Sequence, residues 1–148
     1  MKTKMIQLYV DLCSRIAVMS SARRLQVGAL IVKDGNIQSF GWNGMPAGWD
    51  NNCEDTIWNV HNKDYVLKTK PEVLHAERNA LDKLTKRGGA GGENATMFIT
   101  HAPCLECAKS IYGAGIKTVY YKEDYRSQDG IVFLQRSGVE VIQVDAES

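Results

Sequence analysis

The strongest constraint on the fold is a pair of short motifs that make chemical sense only where they meet. They are His75-Ala76-Glu77 and Pro103-Cys104-Leu105-Glu106-Cys107. Cys104 and Cys107 are spaced to share one face of a helix's first turn. Two thiols there grip a single metal ion, and a helix N-terminus favours thiolates because its free N–H groups and macrodipole stabilise negative charge. The pattern puts Pro103 at the first helical position, where its missing N–H costs nothing. His75 offers a third ligand. A Cys₂His set with an open fourth position is the donor set of a catalytic zinc, whereas a structural zinc is closed by four protein ligands. Glu77, in the first turn of its own expected helix, then stands beside the metal without binding it, placed to move protons.

The rest of the chain narrows the possibilities. Its 148 residues suit one compact domain, 1–148, with a proper core. A net charge of +1 gives no basic footprint for a nucleic-acid polymer. The apolar runs are too short to cross a membrane and no signal peptide is visible, so a cytoplasmic location is expected. Of the four cysteines, Cys13, Cys53, Cys104 and Cys107, two are taken by the motif, and a disulfide framework is not expected.

Helical spacing of Ile6, Tyr9, Val10, Cys13, Ile16 and Ala17 predicts one amphipathic helix from Lys4 to about Met19, with Cys13 in its buried stripe. Val27 to Val32 and Ile37 to Trp42 read as strands joined by an Asp34-Gly35 hairpin turn. Gly41 to about Pro71 lacks clear periodicity, with a short helix expected between Asp55 and Leu67 anchored by Trp58 and Tyr65. Pro71 leads into the helix bearing His75 and Glu77, which the glycine run Gly88 to Gly92 ends. Strands at Thr96–Thr100, Ile116–Tyr121 and Val139–Val144 alternate with helices from the cysteine motif to Ala114 and from Gln128 to Arg136. Alternation implies parallel pairing through right-handed crossovers. The expected fold is a three-layer α/β/α domain around a mixed five-stranded sheet, with both motif helices starting at one sheet end.

Several residues stay open between two readings. Arg23-Arg24 is either a solvated pair or an anion site, because it precedes a strand running towards the motifs. Cys53 and His61 are either packing and surface residues or half of a second metal site. His101 is either a fourth ligand or a pocket wall. In Gly41-Trp42-Asn43-Gly44, the glycines either make turns or, with Gly48, let backbone N–H groups form an anion-binding concavity.

His-x-Glu followed by Pro-Cys-x-x-Cys is the signature of zinc nucleobase deaminases. With Val27-Gly28-Ala29, the Gly41 to Pro46 loop, His75 to Ala80, Ala114-Gly115-Ile116 and Tyr125-Arg126, the chain resembles the zinc-dependent cytidine deaminase superfamily and, within it, the deoxycytidylate (dCMP) deaminases. Two departures accompany the likeness: Trp42 replaces the usual tyrosine of the loop, and Ala22 stands where some viral members have a cysteine for a second, structural zinc. The resemblance implies the fold above, one Zn2+ on His75, Cys104 and Cys107, and Glu77 as the proton shuttle in hydrolysis of dCMP to dUMP and ammonia. It further implies substrate contacts from Arg24, Asn43, Ala76, Ala102, Tyr125 and Arg126. Regulation by dCTP as activator and dTTP as inhibitor, with Mg2+ accompanying the triphosphate, is implied at Gly41, Trp42, Asn43 and Gly44. So is a homo-oligomer, often a hexamer. Two rival readings are a deaminase of another cytosine compound or related ring, and a non-catalytic, zinc-stabilised binding domain.

Overall fold

The computed structural model describes residues 1–144, so the last four positions of the expected domain lie outside the described residues. The elements run α1 (Thr3–Ala17), β1 (Gly28–Lys33), β2 (Asn36–Trp42), β3 (Glu54–Asn59), β4 (Asp64–Thr69), α2 (Ala76–Arg87), β5 (Thr96–His101), α3 (Leu105–Gly113), β6 (Thr118–Glu123), α4 (Asp129–Arg136) and β7 (Glu140–Gln143). Five strands form one mixed sheet in the order β2-β1-β5-β6-β7. β1 pairs antiparallel with β2 and β5, while β5, β6 and β7 run parallel through the α3 and α4 crossovers.

β1 is apolar on both faces because both are covered. Leu30 and Val32 point to one side, where they pack with Phe98 against Tyr9, Val10 and Cys13 of α1. Ala29 and Ile31 point to the other, joining Met97, Ile99 and Val119 beneath the buried faces of α2, α3 and α4. The three layers and the mixed sheet are those expected. Asp34 and Gly35 both have positive φ, 51° and 76°, as a tight hairpin turn requires.

Two local expectations are corrected. The segment from Asp55 to Leu67 is not a helix but most of a second, two-stranded antiparallel sheet, β3–β4. Its Thr56, Ile57, Trp58, Tyr65 and Val66 are β-branched or aromatic and prefer a pleated surface. Trp58 and Tyr65 pair across the strands edge to face at 5.1 Å, yet both are exposed, so they clasp the hairpin rather than anchor it in the core. The other correction concerns Pro103, which precedes α3 instead of opening it. Cys104, with φ −71° and ψ 168°, is the N-cap and Leu105 the first helical residue.

α2 is seated on β1–β2 through a glycine. A Cβ on Gly41 would lie 2.8 Å from both the Ala76 carbonyl oxygen and the Ala80 nitrogen, and Ser39 Oγ donates to the Ala80 carbonyl at 2.7 Å. Gly41→Ala should therefore push α2 off the sheet and destabilise the chain by about 1–3 kcal/mol in urea unfolding. A loss below about 0.5 kcal/mol, the range of an ordinary surface change, would show that α2 is not seated so tightly.

Candidate active site

α2 and α3 start side by side beyond the carboxyl end of β5, and each N-cap belongs to a cluster of three residues that could hold a metal ion. His75 caps α2 and Cys104 caps α3, both with extended backbone and neither using its side chain to cap its helix. Those side chains are free to turn towards each other. His75 Nδ1 lies 3.2 Å from Cys107 Sγ and 3.6 Å from Cys104 Sγ. All three ligand atoms fall within 4.8 Å of one another. With Zn–S near 2.3 Å and Zn–N near 2.0–2.1 Å, a tetrahedral N···S edge is about 3.6 Å. Both edges lie within a few tenths of an ångström of that value, so the donors fit a zinc ion. A hydrogen bond from Cys107, then one with His75, lowers the Cys104 thiol to about 4. The same bond to Cys104, together with burial, pushes Cys107 up.

Glu77 is the second helical residue of α2 and only 4% exposed. Burial pushes its carboxyl above the usual carboxylate range, against the pull of its own backbone N–H and of His75. A carboxyl raised in this way is suited to take a proton and give it back.

The cluster opens into a cavity of about 440 Å³. Arg24, Asn43, Ala76, Ala102, Tyr125 and Arg126, the residues picked out for substrate contact, all line it beside His75, Glu77 and Cys104. Asn43 already has two bonds: its Oδ1 accepts from the Val27 N–H at 2.8 Å, and its Nδ2 donates to the Leu25 carbonyl at 2.8 Å. An amide has further capacity at both atoms, which leaves one donor and one acceptor site for a ligand. The Ala102 N–H donates to the Glu123 carbonyl at 2.8 Å, so its own carbonyl is what it offers. Arg24 and Arg126 are exposed, and among the described residues neither is in a salt bridge. The Arg126 guanidinium lies 5.7 Å from the Tyr125 ring centroid.

In the loop after β2, two of the glycines already have structural roles. Gly41 is a packing glycine in the β1–β2 ladder, opposite Ala29. The Gly44 N–H donates to the Leu74 carbonyl at 3.0 Å, and the Leu74 N–H returns the bond at 2.8 Å. The Trp42 carbonyl accepts from Asn79 Nδ2, and its ring lies 5.5 Å from Lys83 Nζ, which also sits over Phe40. The Gly44 N–H is thus already bonded, and Gly41 serves packing.

His101 stands outside the ligand cluster, on the cavity wall, with Nδ1 2.9 Å from Thr100 Oγ1. Thr100 Oγ1 also accepts from the Gly28 N–H, so its single proton is available to His101 Nδ1. Cys53 is buried next to Glu54, and His61 is exposed in the β3–β4 turn. The cavity also has Thr69, Val73, Glu123 and Asp124 in its wall, none of which the sequence singled out. Glu123 and Asp124 were recoverable, because ligands in open α/β sheets bind beyond the carboxyl ends of parallel strands, and Glu123 ends β6 while Asp124 follows it.

Comparison with known proteins agrees with this geometry. Residues 3–123 match the family model described as the cytidine and deoxycytidylate deaminase zinc-binding region. ComE operon protein 2 of Bacillus subtilis is 38% identical over 89% of this chain and 67% of its own. The deoxycytidylate deaminase of Enterobacteria phage T4 is 33% identical, covering 80% of this chain and 79% of its own. The crystal structure of dCMP deaminase from the cyanophage S-TIM5 in complex with dCMP and dUMP superposes with a TM-score of 0.85 at 39% identity, covering 97% of this chain and 99% of that one.

The donor geometry predicts about one zinc per chain, largely lost in Cys107→Ser and His75→Ala but kept in Cys53→Ala. Elemental analysis of purified protein checks this, with circular dichroism to confirm folding. Full zinc in folded Cys107→Ser would contradict the donor set.

Proposed function

Because the chain belongs to the cytidine and deoxycytidylate deaminase family, we propose that it is a cytoplasmic enzyme whose residues 1–148 form one deaminase domain hydrolysing dCMP to dUMP and ammonia. The observation that carries the reading is the buried Glu77 carboxyl beside the His75-Cys104-Cys107 cluster, in a cavity that also holds two arginines without salt-bridge partners among the described residues. The solved complex of a 39% identical dCMP deaminase with dCMP and dUMP supports the choice of substrate.

Zinc held by His75, Cys104 and Cys107 would supply a water nucleophile activated at neutral pH. Glu77 would take one water proton and deliver it to N3 of cytosine as C4 is attacked, then take the second proton from the new C4 hydroxyl and pass it to the amine, so that the C4–N bond breaks and ammonia leaves. One carboxyl on one face of the ring serves each transfer, and burial holds that carboxyl above its ordinary range. The Ala102 carbonyl accepts from the exocyclic amine. The Ala76 N–H, in the first turn of α2 where helix N–H groups have no intrahelical partner, is open to the ring. Asn43 reads the sugar hydroxyl with its remaining capacity. Arg24 and Arg126 hold the 5′-phosphate through charge-assisted bonds, and Tyr125 closes the apolar wall beside Leu25, Val27 and Val73.

The reading includes assembly as a homo-oligomer, a hexamer, with dCTP activating and dTTP inhibiting, Mg2+ accompanying the triphosphate. The physical route is the Gly44–Leu74 bridge, which ties the effector loop to the residue just before His75. An effector that displaces this bridge moves Asn43 and the start of α2 together. dCTP and dTTP titrated into a dCMP assay, with mass measured in solution, should give opposite shifts in substrate affinity. Hyperbolic kinetics with neither triphosphate acting outside the active site would remove the regulatory part of the proposal.

The chemical part is tested by Glu77→Gln. The variant should keep zinc and fold while losing about 10²–10⁴-fold in turnover, the usual contribution of a general acid–base group. Substantial ammonia release by zinc-loaded Glu77→Gln would sink the proton-shuttle role.

A further inference from the structure

Glu54 is a buried carboxylate that the chemistry above does not use. It opens β3 and is 1% exposed. A buried charge persists only where donors replace water, and here the donors all come from the turn that carries Arg24. Glu54 Oε2 accepts from the Arg23 N–H at 2.8 Å and the Arg24 N–H at 3.0 Å, and Oε1 takes the Arg23 Nε–H at 3.4 Å. Burial pushes this carboxyl up, but the two backbone donors and the Arg23 guanidinium outweigh it and hold it below its ordinary range.

Directly across the base of the same hairpin, Thr69 pairs with Glu54. Thr69 Oγ1 accepts from Arg24 Nη1 at 2.9 Å, and Thr69 lines the cavity. Arg24 is therefore held at two points, by the backbone to Glu54 and by the guanidinium to Thr69. The arch is fastened on its far side by the Asn43 amide, which bonds Leu25 and Val27. The Glu54 charge is matched by Arg23 in a salt bridge. Arg24 gives Glu54 only its N–H, so the positive charge of its side chain stays available to the cavity.

We infer that Glu54 and Thr69 are positioning residues that aim Arg24 into the cavity, so that the β3–β4 hairpin sets the preference for a 5′-phosphorylated nucleotide over its nucleoside. The inference rests on the reading of Arg24 as a phosphate ligand. It also gives the small hairpin a purpose: two strands alone are marginal in water, and this pair has its base residues fixed on the arginine turn.

The test is a double-mutant cycle read on two substrates. kcat and KM are measured for dCMP and deoxycytidine with wild type, Glu54→Gln, Thr69→Val, Thr69→Ser and Arg24→Ala, and with the first two variants in the Arg24→Ala background. Zinc content and melting temperature serve as controls. Glu54→Gln should lower the dCMP-to-deoxycytidine ratio of kcat/KM by about tenfold or more, mainly through KM for dCMP. Thr69→Val should lower it in the same direction, and Thr69→Ser should restore it. Neither change should lower the ratio further once Arg24 is alanine, because residues acting through one group are not additive. Equal losses on both substrates, or losses that multiply with Arg24→Ala, would overturn the inference by assigning Glu54 and Thr69 a general structural role. If Glu54→Gln fails to fold, the Thr69 series decides by the same criteria. A wild-type enzyme without preference for dCMP would overturn the phosphate reading itself. A wild-type preference that survives both substitutions would overturn the hairpin's part alone.

Discussion

Two helix N-termini facing each other across one small volume are the constraint on which the site depends. A buried carboxyl and a pair of thiols are costly to bring together without compensation. α2 and α3 supply it, because Glu77 and Cys107 both lie in first turns whose free N–H groups favour negative charge. With His75 and Cys104 as the N-caps, the same backbone geometry that begins each helix also brings its side chain into the cluster. The sheet fixes the meeting point: β5 feeds α3 directly, and α2 is pressed onto β1–β2 at Gly41.

Around that point the cavity is divided by chemistry. Its lining combines His75, Cys104 and Glu77 with apolar Leu25, Val27 and Val73, and Arg24 and Arg126 contribute positive charge. Polar side chains near the rim do structural duty as well. Asn43 fastens the Leu25–Val27 arch, Thr69 holds the Arg24 guanidinium, and Thr100 bonds both Gly28 and His101. These bonds tie the cavity's polar side chains to its scaffold, which limits how far any one of them can move without disturbing the others.

The elements that the sequence made legible are those with local signals. Asp34-Gly35 announces its turn, the spacing of Cys104 and Cys107 announces a shared ligand face, and the β/α alternation after Thr96 announces the parallel half of the sheet. The hairpin at β3–β4 was not legible. Its strands are short, and charged Glu54, Asp55 and Asp64 interrupt any apolar alternation. The part played by Glu54 was hidden for a related reason: in sequence it is one of two adjacent acids, a pattern typical of a solvated surface. Its burial arises only when the Arg23-Arg24 turn folds over it from a distant part of the chain. The fate of the Gly41–Gly44 loop was equally non-local, since the partner of the Gly44 N–H is Leu74.

The proposed function is deamination of a cytosine nucleotide with a metal held at two helix starts. Its most direct test is dCMP turnover by the wild-type protein as isolated, after the metal is stripped with a chelator, and after zinc is returned. The expected result is one dUMP and one ammonia formed per dCMP consumed, with turnover lost on stripping and restored by zinc. Undiminished turnover in the stripped protein, or no dUMP from fully zinc-loaded protein, would contradict it.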